Sequence, residues 1–261
     1  MKVTLITGAS SGIGEAFARR LAAEKHNLVL VARNEKKLHE LCDELMLEHK
    51  ITAHYVTLDL TDKDADENLF GETERHGFEV DWLINNAGFG SYGDFLRLDR
   101  DHELRMIDLN IRALIALTHR YLQGMRERRQ GQIINVSSAA GFQPIPFMTT
   151  YAATKAFVNS FSEALAAEVH PYGIKVLALC PGSTKTNFQA AANMERIIQV
   201  KGQQTAEEVV ETALRAVKRG RTRVVSGFTN ALVSRIVTFL PNSIITRVMA
   251  KGLRDKYQGD R

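Results

Sequence analysis

The sequence is poor in the residues and patterns that mark several protein classes. It has only two cysteines among 261 residues, Cys42 and Cys180, which fit neither a CxxC motif nor a disulfide framework. No stretch approaches about 18 consecutive apolar residues, so no membrane-spanning helix is predicted. The first residues, MKVTLITGASSG, lead directly into a strand-like segment and leave no room for a signal peptide. We therefore expect two inert, buried thiols and a cytoplasmic protein.

The net charge of +4 is unevenly distributed along the chain. Residues 196–261 contain 13 Lys and Arg against 5 Asp and Glu, whereas residues 1–195 contain 21 against 25. The basic residues of the C-terminal part are too dispersed, and too poor in interleaved aromatic residues, to predict nucleic-acid binding. The eight histidines show no ligand spacing, so we expect no metal site.

The sequence does contain a regular alternation of short β-rich runs and helical patterns. The runs are mostly apolar at every position, as expected for strands covered on both faces. The predicted strands are Val3–Thr7, Asn27–Ala32, Thr52–Leu58, Asp81–Ile84, Gln132–Val136, Lys175–Cys180 and Thr222–Ser226. The predicted helices are one containing Ile13, Phe17 and Leu21, then Asn34–His49, Thr61–His76, Asp99–Arg128, Thr150–His170 and Thr205–Arg219. Strict alternation predicts a single α/β domain over residues 1–261, with a doubly wound parallel sheet of about seven strands and helices on both faces.

A glycine-rich loop follows the first predicted strand. Residues Thr7–Gly14 read TGASSGIG and lead into an amphipathic helix. Glycines at this spacing allow a tight turn and a close approach of the backbone to a pyrophosphate, while the helix N-terminus provides free N–H groups. The position of the loop between a strand and a helix therefore predicts a dinucleotide site.

The end of the second predicted strand indicates which nicotinamide cofactor is preferred. An acidic residue at this point would hold the ribose 2′-hydroxyl of NAD. Here the strand ends in Ala32, Arg33 and Asn34. A guanidinium without a competing carboxylate favours the 2′-phosphate of NADP(H) over NAD(H). The alternative is a solvated arginine at the start of a charged helix.

Further motifs follow the glycine loop in a fixed order. They are Asp59-Leu60, Asn85-Asn86-Ala87-Gly88, Asn110, Ser138, Tyr151 with Lys155, and Pro181-Gly182 with Thr186. Through these motifs the chain resembles the short-chain dehydrogenase/reductase family in its compact single-domain form, clearly over about residues 1–190. The resemblance implies a Rossmann-like fold and nicotinamide-dependent oxidoreductase activity.

The resemblance also implies which residues contact the cofactor. They are Gly8, Ser10, Ser11, Gly12, Ile13, Gly14, Arg33, Asn34, Asp59, Leu60, Asn86, Ala87, Gly88, Tyr151, Lys155, Pro181, Gly182, Thr184 and Thr186. Two of these positions have alternative explanations. Asp59 could cap the following helix, and Asn86 could be a turn residue before a glycine.

Tyr151 and Lys155 stand four residues apart and therefore share one face of a predicted helix. A lysine cation beside a phenol lowers the pKa of the phenol, which would let it act as an acid or a base near neutral pH. By resemblance, Tyr151 is the acid/base, Lys155 also holds the ribose, and Ser138 polarises the substrate carbonyl. Ser137 is the rival to Ser138, and the family spacing favours Ser138. Asn110 would anchor a water leading to Lys155, or could be a polar residue at a helix kink.

Three segments are expected to form the substrate side of the site: Phe89–Tyr92, Ala139–Phe147 and the residues after Pro181-Gly182. Their large apolar residues are Phe89, Tyr92, Phe142, Ile145, Phe147 and Phe188, and residues 187–204 could form a mobile lid. A C-terminal helical extension is predicted at about 228–258, with one stripe through Phe228, Leu232 and Ile236 and a second after Pro241. We favour a role in covering the pocket or a subunit interface; the alternative is a basic amphipathic surface that touches a membrane.

The sequence thus predicts an NADP(H)-dependent oxidoreductase that interconverts a small-molecule ketone or aldehyde with an alcohol, on an apolar or acyl-type substrate. The family resemblance implies a homodimer or homotetramer. Two alternatives are a cofactor-binding regulatory protein without turnover, and an isomerase or dehydratase that uses the nicotinamide transiently.

Overall fold

The computed structural model describes residues 1–186 and 203–258, with side chains up to Arg254. Its centre is a seven-stranded sheet in which all neighbouring strands are parallel, in the order β3-β2-β1-β4-β5-β6-β7. The strands are β1 Lys2–Thr7, β2 Leu28–Ala32, β3 Ala53–Thr57, β4 Glu79–Asn85, β5 Gly131–Val136, β6 Ile174–Cys180 and β7 Arg223–Val225. The predicted Rossmann-like, doubly wound sheet is therefore confirmed.

The strand order reverses between β1 and β4. From β1 the chain builds β2 and β3 on one side, then crosses over and builds β4 to β7 on the other. Connections that leave in opposite directions open a crevice at the carboxyl ends of the two central strands. The glycine loop follows β1, and the Asn86-Ala87-Gly88 segment follows β4, so both motifs meet at this crevice.

Helices cover both faces of the sheet. They are α1 Gly12–Ala23, α2 Glu35–His49, α3 Ala65–Arg75, α4 Arg100–Ile107, α5 Leu114–Arg128, α6 Thr149–Val169, α7 Ala206–Lys218, α8 Phe228–Val237 and α9 Asn242–Gln258. One apolar layer joins the sheet to α1, α2 and α7 through Phe17, Leu38 and Val210, and the other joins it to α3, α5 and α6. Adjacent strand residues such as Leu5 and Ile6 belong to opposite layers, which explains the continuous apolar runs.

Two predicted helix boundaries are wrong. The helix expected over Thr61–His76 begins only at Ala65, because a turn held by Asp59 occupies the preceding residues. The long helix expected over Asp99–Arg128 consists of α4 and α5 joined by a π-helical turn, Asp108–Ala113. An insertion of this kind shifts the hydrophobic periodicity too little to be seen in the sequence.

The apolar stripe of α8 does not cover the pocket, which was one of the two roles favoured for it from the sequence. The predicted packing stripe faces outward, with Phe228 84% exposed and Leu232 and Ile236 each 51% exposed, whereas Ser234 is buried. Asn230 fixes this orientation, since its amide donates to the Ser226 carbonyl at 2.9 Å and packs directly on Gly182. No helix among residues 1–186 and 203–258 combines the length and the apolarity needed to cross a bilayer. The proposed lid and Phe188 fall almost entirely on residues 187–202, outside the described part of the chain.

Candidate active site

A cavity of about 830 Å³ occupies the crevice at the carboxyl ends of the strands. Its walls contain the glycine loop, the residues that follow β2 to β6, and one side of α8. Every predicted cofactor-contacting residue lines this cavity except Gly14, and so do Ser138, Tyr151 and Lys155. The structure therefore brings together, in one concave site, motifs that lie as far apart in sequence as residues 8 and 186.

The glycine loop leaves no room for a side chain at Gly8, Gly12 or Gly14. Gly8 and Gly12 adopt positive φ angles of 66° and 59°, which favour glycine. A Cβ added to Gly8 would lie 2.9 Å from Asn86 Nδ2, and one added to Gly12 would lie 3.1 Å from Thr186 Cγ2. Gly14 does not line the cavity, and an added Cβ at this position would lie 2.3 Å from the Gly8 carbonyl oxygen. It lets α1 pack against the loop, and the bare backbone at the helix N-terminus fits a pyrophosphate.

Asn86 braces this loop from the end of β4. Its Nδ2 donates to the carbonyl oxygens of Thr7 at 2.9 Å and Gly8 at 3.2 Å. The Thr7 hydroxyl in turn accepts from the backbone N–H groups of Asn86 and Ala87, each at 3.0 Å. These bonds hold the ends of β1 and β4 together and fix the path of the glycine loop between them.

A charged cluster lies at the end of the cavity formed by β2 and β3. Asp59 Oδ2 is 3.7 Å from Arg33 Nη1 and 3.7 Å from Arg105 Nη2. Asp59 Oδ1 accepts from the backbone and side chain of Thr61, so Asp59 holds a turn and does not cap α3, whose N-cap is Asp64. Burial alone would raise the pKa of Asp59, but the Thr61 hydrogen bonds and the two guanidinium groups lower it below its ordinary value.

Tyr151 and Lys155 line the cavity from the same face of α6. Both are buried, and the Lys155 ammonium lies 5.8 Å from the centre of the Tyr151 ring. Lys155 Nζ donates to the carbonyl oxygen of Val136 at 2.9 Å, which fixes it at the end of β5. The tyrosine ring packs in a small apolar cluster with Met106, Ile145 and residues of α9.

The pKa values of this pair differ from the expectation for a lysine-tuned phenol. Burial raises the pKa of Tyr151 to about 12, and its hydrogen bond with Ser138 only partly opposes this effect. Burial also lowers the pKa of Lys155 to about 8. Without the cofactor, desolvation is therefore the main influence on the pKa of both groups, and the phenol stays protonated at neutral pH.

The two candidate serines have different environments. The Ser137 hydroxyl is buried and donates to the carbonyl oxygen of Lys155 at 2.9 Å, so it supports the backbone of α6. The Ser138 hydroxyl is hydrogen-bonded to the Tyr151 side chain, and it accepts a hydrogen bond from the backbone N–H of Ala140 at 3.1 Å. Only the Ser138 hydroxyl is thus placed beside the phenol that it would assist.

Asn110 lies in the π-helical turn and does not line the cavity. Its Nδ2 donates to the Phe89 carbonyl oxygen at 3.0 Å and to Thr154 Oγ1 at 3.1 Å, while Oδ1 accepts from Phe89 N–H at 3.2 Å. These hydrogen bonds use the side chain of Asn110 to join the segment after β4 to α6. A proton relay that passes through Asn110 would therefore use its backbone.

The segment that follows β6 closes the site. The Pro181 carbonyl oxygen accepts from Ala139 N–H at 2.8 Å, and Thr184 Oγ1 donates to the Gly182 carbonyl at 3.1 Å. Gly182 is required here because an added Cβ would lie 2.0 Å from Asn230 Nδ2 of α8. A glycine at this position therefore lets α8 form one wall of the cavity.

The apolar part of the cavity differs in part from the predicted substrate side. Phe89 and Ile145 line it as expected, whereas Phe142 and Phe147 do not, and Tyr92 is buried in the cluster beside Tyr151. The Phe142 ring instead lies under the Arg223 guanidinium, at 5.0 Å. Gln143 belongs to the predicted segment Ala139–Phe147, whereas sequence analysis missed the cavity residues Met148, Thr229, Asn230, Val233, Ser234 and Val237. Those of α8 were missed because its exposed stripe has the stronger apolar pattern.

Other reactive groups lie outside the cavity. His54, Glu72 and His76 form a cluster in which Glu72 Oε1 is 3.4 Å from His54 Nε2 and 3.0 Å from His76 Nε2. Spacing could not indicate it because His54 is on β3, whereas Glu72 is on α3 and His76 follows that helix directly. Arg75 already pairs with the same carboxylate. Both cysteines are buried, and burial raises the pKa of each thiol to about 12.

Comparisons with known proteins agree with this geometry. The family model for short chain dehydrogenase matches residues 2–197. The very-long-chain 3-oxoacyl-CoA reductase of Rattus norvegicus is 31% identical over 261 residues, covering 97% of this chain and 81% of the rat protein. A short-chain dehydrogenase from Sphingobium yanoikuyae in complex with NADPH superposes with a TM-score of 0.81 at 33% identity, over 86% of this chain and 87% of that one. The bulky-bulky ketone specific alcohol dehydrogenase from Comamonas testosteroni gives a TM-score of 0.77 at 32% identity, over 86% of each chain. The chain therefore belongs to the short-chain dehydrogenase/reductase family of oxidoreductases.

Proposed function

We propose that this protein is an NADP(H)-dependent oxidoreductase that interconverts an apolar or acyl-type ketone or aldehyde with the corresponding alcohol. The observation that carries the proposal is the Tyr151–Ser138 hydroxyl pair, which shares one cavity with a glycine loop whose backbone is bare at Gly8 and Gly12. The loop provides the pyrophosphate site, and the hydroxyl pair provides proton transfer to a substrate oxygen.

Each catalytic residue has a role that follows from its surroundings. Bound NADP(H) supplies the hydride for carbonyl reduction. Tyr151 donates a proton to the developing alkoxide, and its raised pKa keeps it in the protonated form that reduction requires. Ser138 donates a hydrogen bond to the same oxygen and stabilises the negative charge that forms there.

Lys155 and Asn110 act behind this pair. Lys155 holds the ribose hydroxyls and, when protonated, favours the phenolate that remains after proton transfer. Asn110 is a positioning residue, because its side chain joins Phe89 to Thr154 of the catalytic helix. Reprotonation through the backbone of Asn110 is part of this proposal.

Arg33 is proposed to select NADP(H). Its side chain is 70% exposed at the cavity edge, and the preceding residue, Ala32, offers no carboxylate to repel a 2′-phosphate. A bidentate contact between guanidinium and phosphate is short and strong. The relative from Sphingobium yanoikuyae contains NADPH, which supports this preference.

The substrate class is inferred from the apolar wall of the cavity. Phe89, Ile145, Met148, Val233 and Val237 offer no charge to a ligand. Two similar proteins are a very-long-chain 3-oxoacyl-CoA reductase and an alcohol dehydrogenase specific for bulky-bulky ketones. We infer that this chain also accepts a bulky apolar group beside the carbonyl.

A homo-oligomer formed through the central helices is part of the proposal. Leu104 and Ile107 of α4, and Ile115 of α5, remain exposed in the single chain. Burying this surface against a second copy would remove it from water. Sedimentation analysis of the purified protein tests this expectation, which fails if the protein is a monomer at micromolar concentration.

The test of function is a panel of ketones and aldehydes of increasing size, with turnover followed by loss of NADPH absorbance. Tyr151→Phe should lower turnover by at least about a hundredfold while NADPH binding is retained. Tyr121→Phe is the matched control, since this buried hydroxyl contacts Thr73 far from the cavity. Full activity of Tyr151→Phe would contradict the acid/base role. Tight NADPH binding without turnover of any compound would instead favour the cofactor-binding regulatory alternative.

A further inference from the structure

Helix α8 is amphipathic, but it turns polar residues toward the protein and an apolar stripe toward the solvent. Its polar residues Asn230 and Ser234 face the protein, whereas Phe228, Leu232 and Ile236 face outward. A surface helix of a soluble domain usually buries its apolar stripe. The exposed stripe therefore needs a partner that the single chain does not provide among its described residues.

The exposed apolar residues of α8 continue through the following turn onto α9. This C-terminal surface consists of Phe228, Leu232, Ile236, Phe239, Ile244 and Val248. Phe228 and Phe239 are 84% and 81% exposed, far more than a packed aromatic side chain. The opposite side of α9 is anchored, since Ile245 is buried and Met249 and Leu253 pack against the cluster that contains Tyr151. The apolar surface thus belongs to two helices that are fixed to the active site.

From residue 228 to residue 254, the same two helices carry only positive charge. No Asp or Glu occurs between Glu211 and Asp255. Arg235, Arg247, Lys251 and Arg254 are all exposed on α8 and α9. No carboxylate of the described residues forms an ion pair with any of the four, although salt bridges are common elsewhere on the protein.

Charge complementarity identifies the partner. A second copy docked through a two-fold axis would place the same surface against itself, and the four basic groups would face four more with no Asp or Glu of residues 212–254 to pair them. A bilayer with anionic headgroups satisfies both parts of the surface, because the apolar side chains enter the acyl boundary while Lys and Arg contact phosphate groups. We propose that the C-terminal surface binds the face of an anionic lipid bilayer.

Such binding would place the substrate cavity at the membrane. Thr229, Val233 and Val237 of α8 line the cavity on the side of the helix next to the exposed stripe. A lipid-dissolved ketone could therefore enter past α8 without crossing bulk water. This consequence for substrate delivery depends on the proposed function, whereas the binding itself does not.

Co-sedimentation with vesicles tests the proposal. The protein should bind phosphatidylglycerol vesicles, bind phosphatidylcholine vesicles much more weakly, and be released by high salt. The triple variant Arg247→Gln, Lys251→Gln, Arg254→Gln should lower binding roughly a hundredfold, since each cation contributes about fivefold near an anionic surface. The variant Leu232→Gln, Ile236→Gln, Phe239→Gln should abolish the part of the binding that resists salt.

Two controls make the outcome decisive. Lys36→Gln, Lys63→Gln, Arg100→Gln removes the same charge from exposed sites elsewhere and should bind as the parent does. Tyr151→Phe should also bind vesicles as the parent does, because membrane binding does not depend on turnover. A carbonyl panel without turnover would therefore not contradict the membrane proposal. In the same way, a failure to bind vesicles would not contradict the proposed reaction.

Three results would overturn the proposal. One is binding that does not depend on the charges of this surface, seen either as equal binding to both kinds of vesicle or as an equal loss of binding in the charge variant and its control. Another is no vesicle binding together with a dimer that the apolar variant dissociates, which would make the surface an interface between copies. The third is no vesicle binding together with a lower unfolding midpoint of the apolar variant, which would mean that the chain itself covers the surface.

Discussion

The burial of Lys155 leads to a prediction about how the stability of the protein depends on pH. The side chain is 5% exposed, and burial lowers its pKa from 10.5 to about 8. A shift of this size corresponds to about 3 kcal/mol against charging the lysine in the folded, cofactor-free protein. Lys155→Met keeps a similar length and removes the charge.

The sign of the pH dependence follows from proton binding. Below about pH 8 the lysine is charged in both the folded and the unfolded protein, so the burial penalty is fully present. Between about pH 8 and pH 10.5 the unfolded chain binds a proton that the folded protein does not, so stability rises with pH. Over this window the parent should gain about 3 kcal/mol of unfolding free energy relative to Lys155→Met.

The hydrogen bond from Lys155 to Val136 does not obscure this effect. Its loss leaves a buried carbonyl without a partner, which costs about 1–3 kcal/mol and offsets the removal of the charge at neutral pH. The absolute difference between the two proteins at about pH 7 is therefore small. Because the cost to the carbonyl does not depend on pH, the change in the difference with pH isolates the lysine.

Urea denaturation of the cofactor-free protein at several pH values between about 7 and 10.5 measures this change. Lys36→Met is the matched control, because Lys36 is exposed on α2 and its difference from the parent should stay constant. If the difference for Lys155→Met is equally constant, Lys155 titrates as an ordinary lysine and the argument from burial is wrong.

Three further predictions concern the cavity. Arg33→Asp should shift the cofactor preference toward NAD by at least about tenfold in kcat/KM, whereas Lys36→Asp, in the helix that follows, should not; an unchanged ratio would place the 2′-phosphate contact elsewhere. Gly14→Ala should weaken NADPH binding, measured by fluorescence, by more than about tenfold, since its Cβ would lie 2.3 Å from a backbone oxygen; normal affinity would show that the loop can relax. Val237→Trp should raise KM for bulky ketones and leave small ones unaffected, and an equal effect on both would mean that α8 does not border the substrate.

Local features of the site could be predicted from the sequence. The glycine loop requires only a strand, a turn and a helix in succession, and the Tyr151–Lys155 pair requires only helical spacing. Alternation of apolar runs with helical patterns was enough to predict the parallel sheet, because crossover connections allow few other arrangements. In each case the physical cause acts between residues that are close along the chain.

Features that depend on packing could not be predicted in this way. Asp59 was expected to be able to cap a helix, yet it holds a turn and meets Arg105 from α4. The pKa of Tyr151 was expected to fall beside a lysine, yet burial raises it. Desolvation depends on every element that surrounds the pair, and spacing along one helix contains no information about it.

The amino-acid sequence by itself determined the order of strands and helices, the glycine loop and the residues that could carry out proton transfer, since these depend on short-range geometry. The tertiary structure alone decided which side of α8 faces the cavity, which of two adjacent serines meets the phenol, and how strongly burial shifts the pKa of Lys155. These properties arise from contacts between distant segments, and only the folded chain defines them.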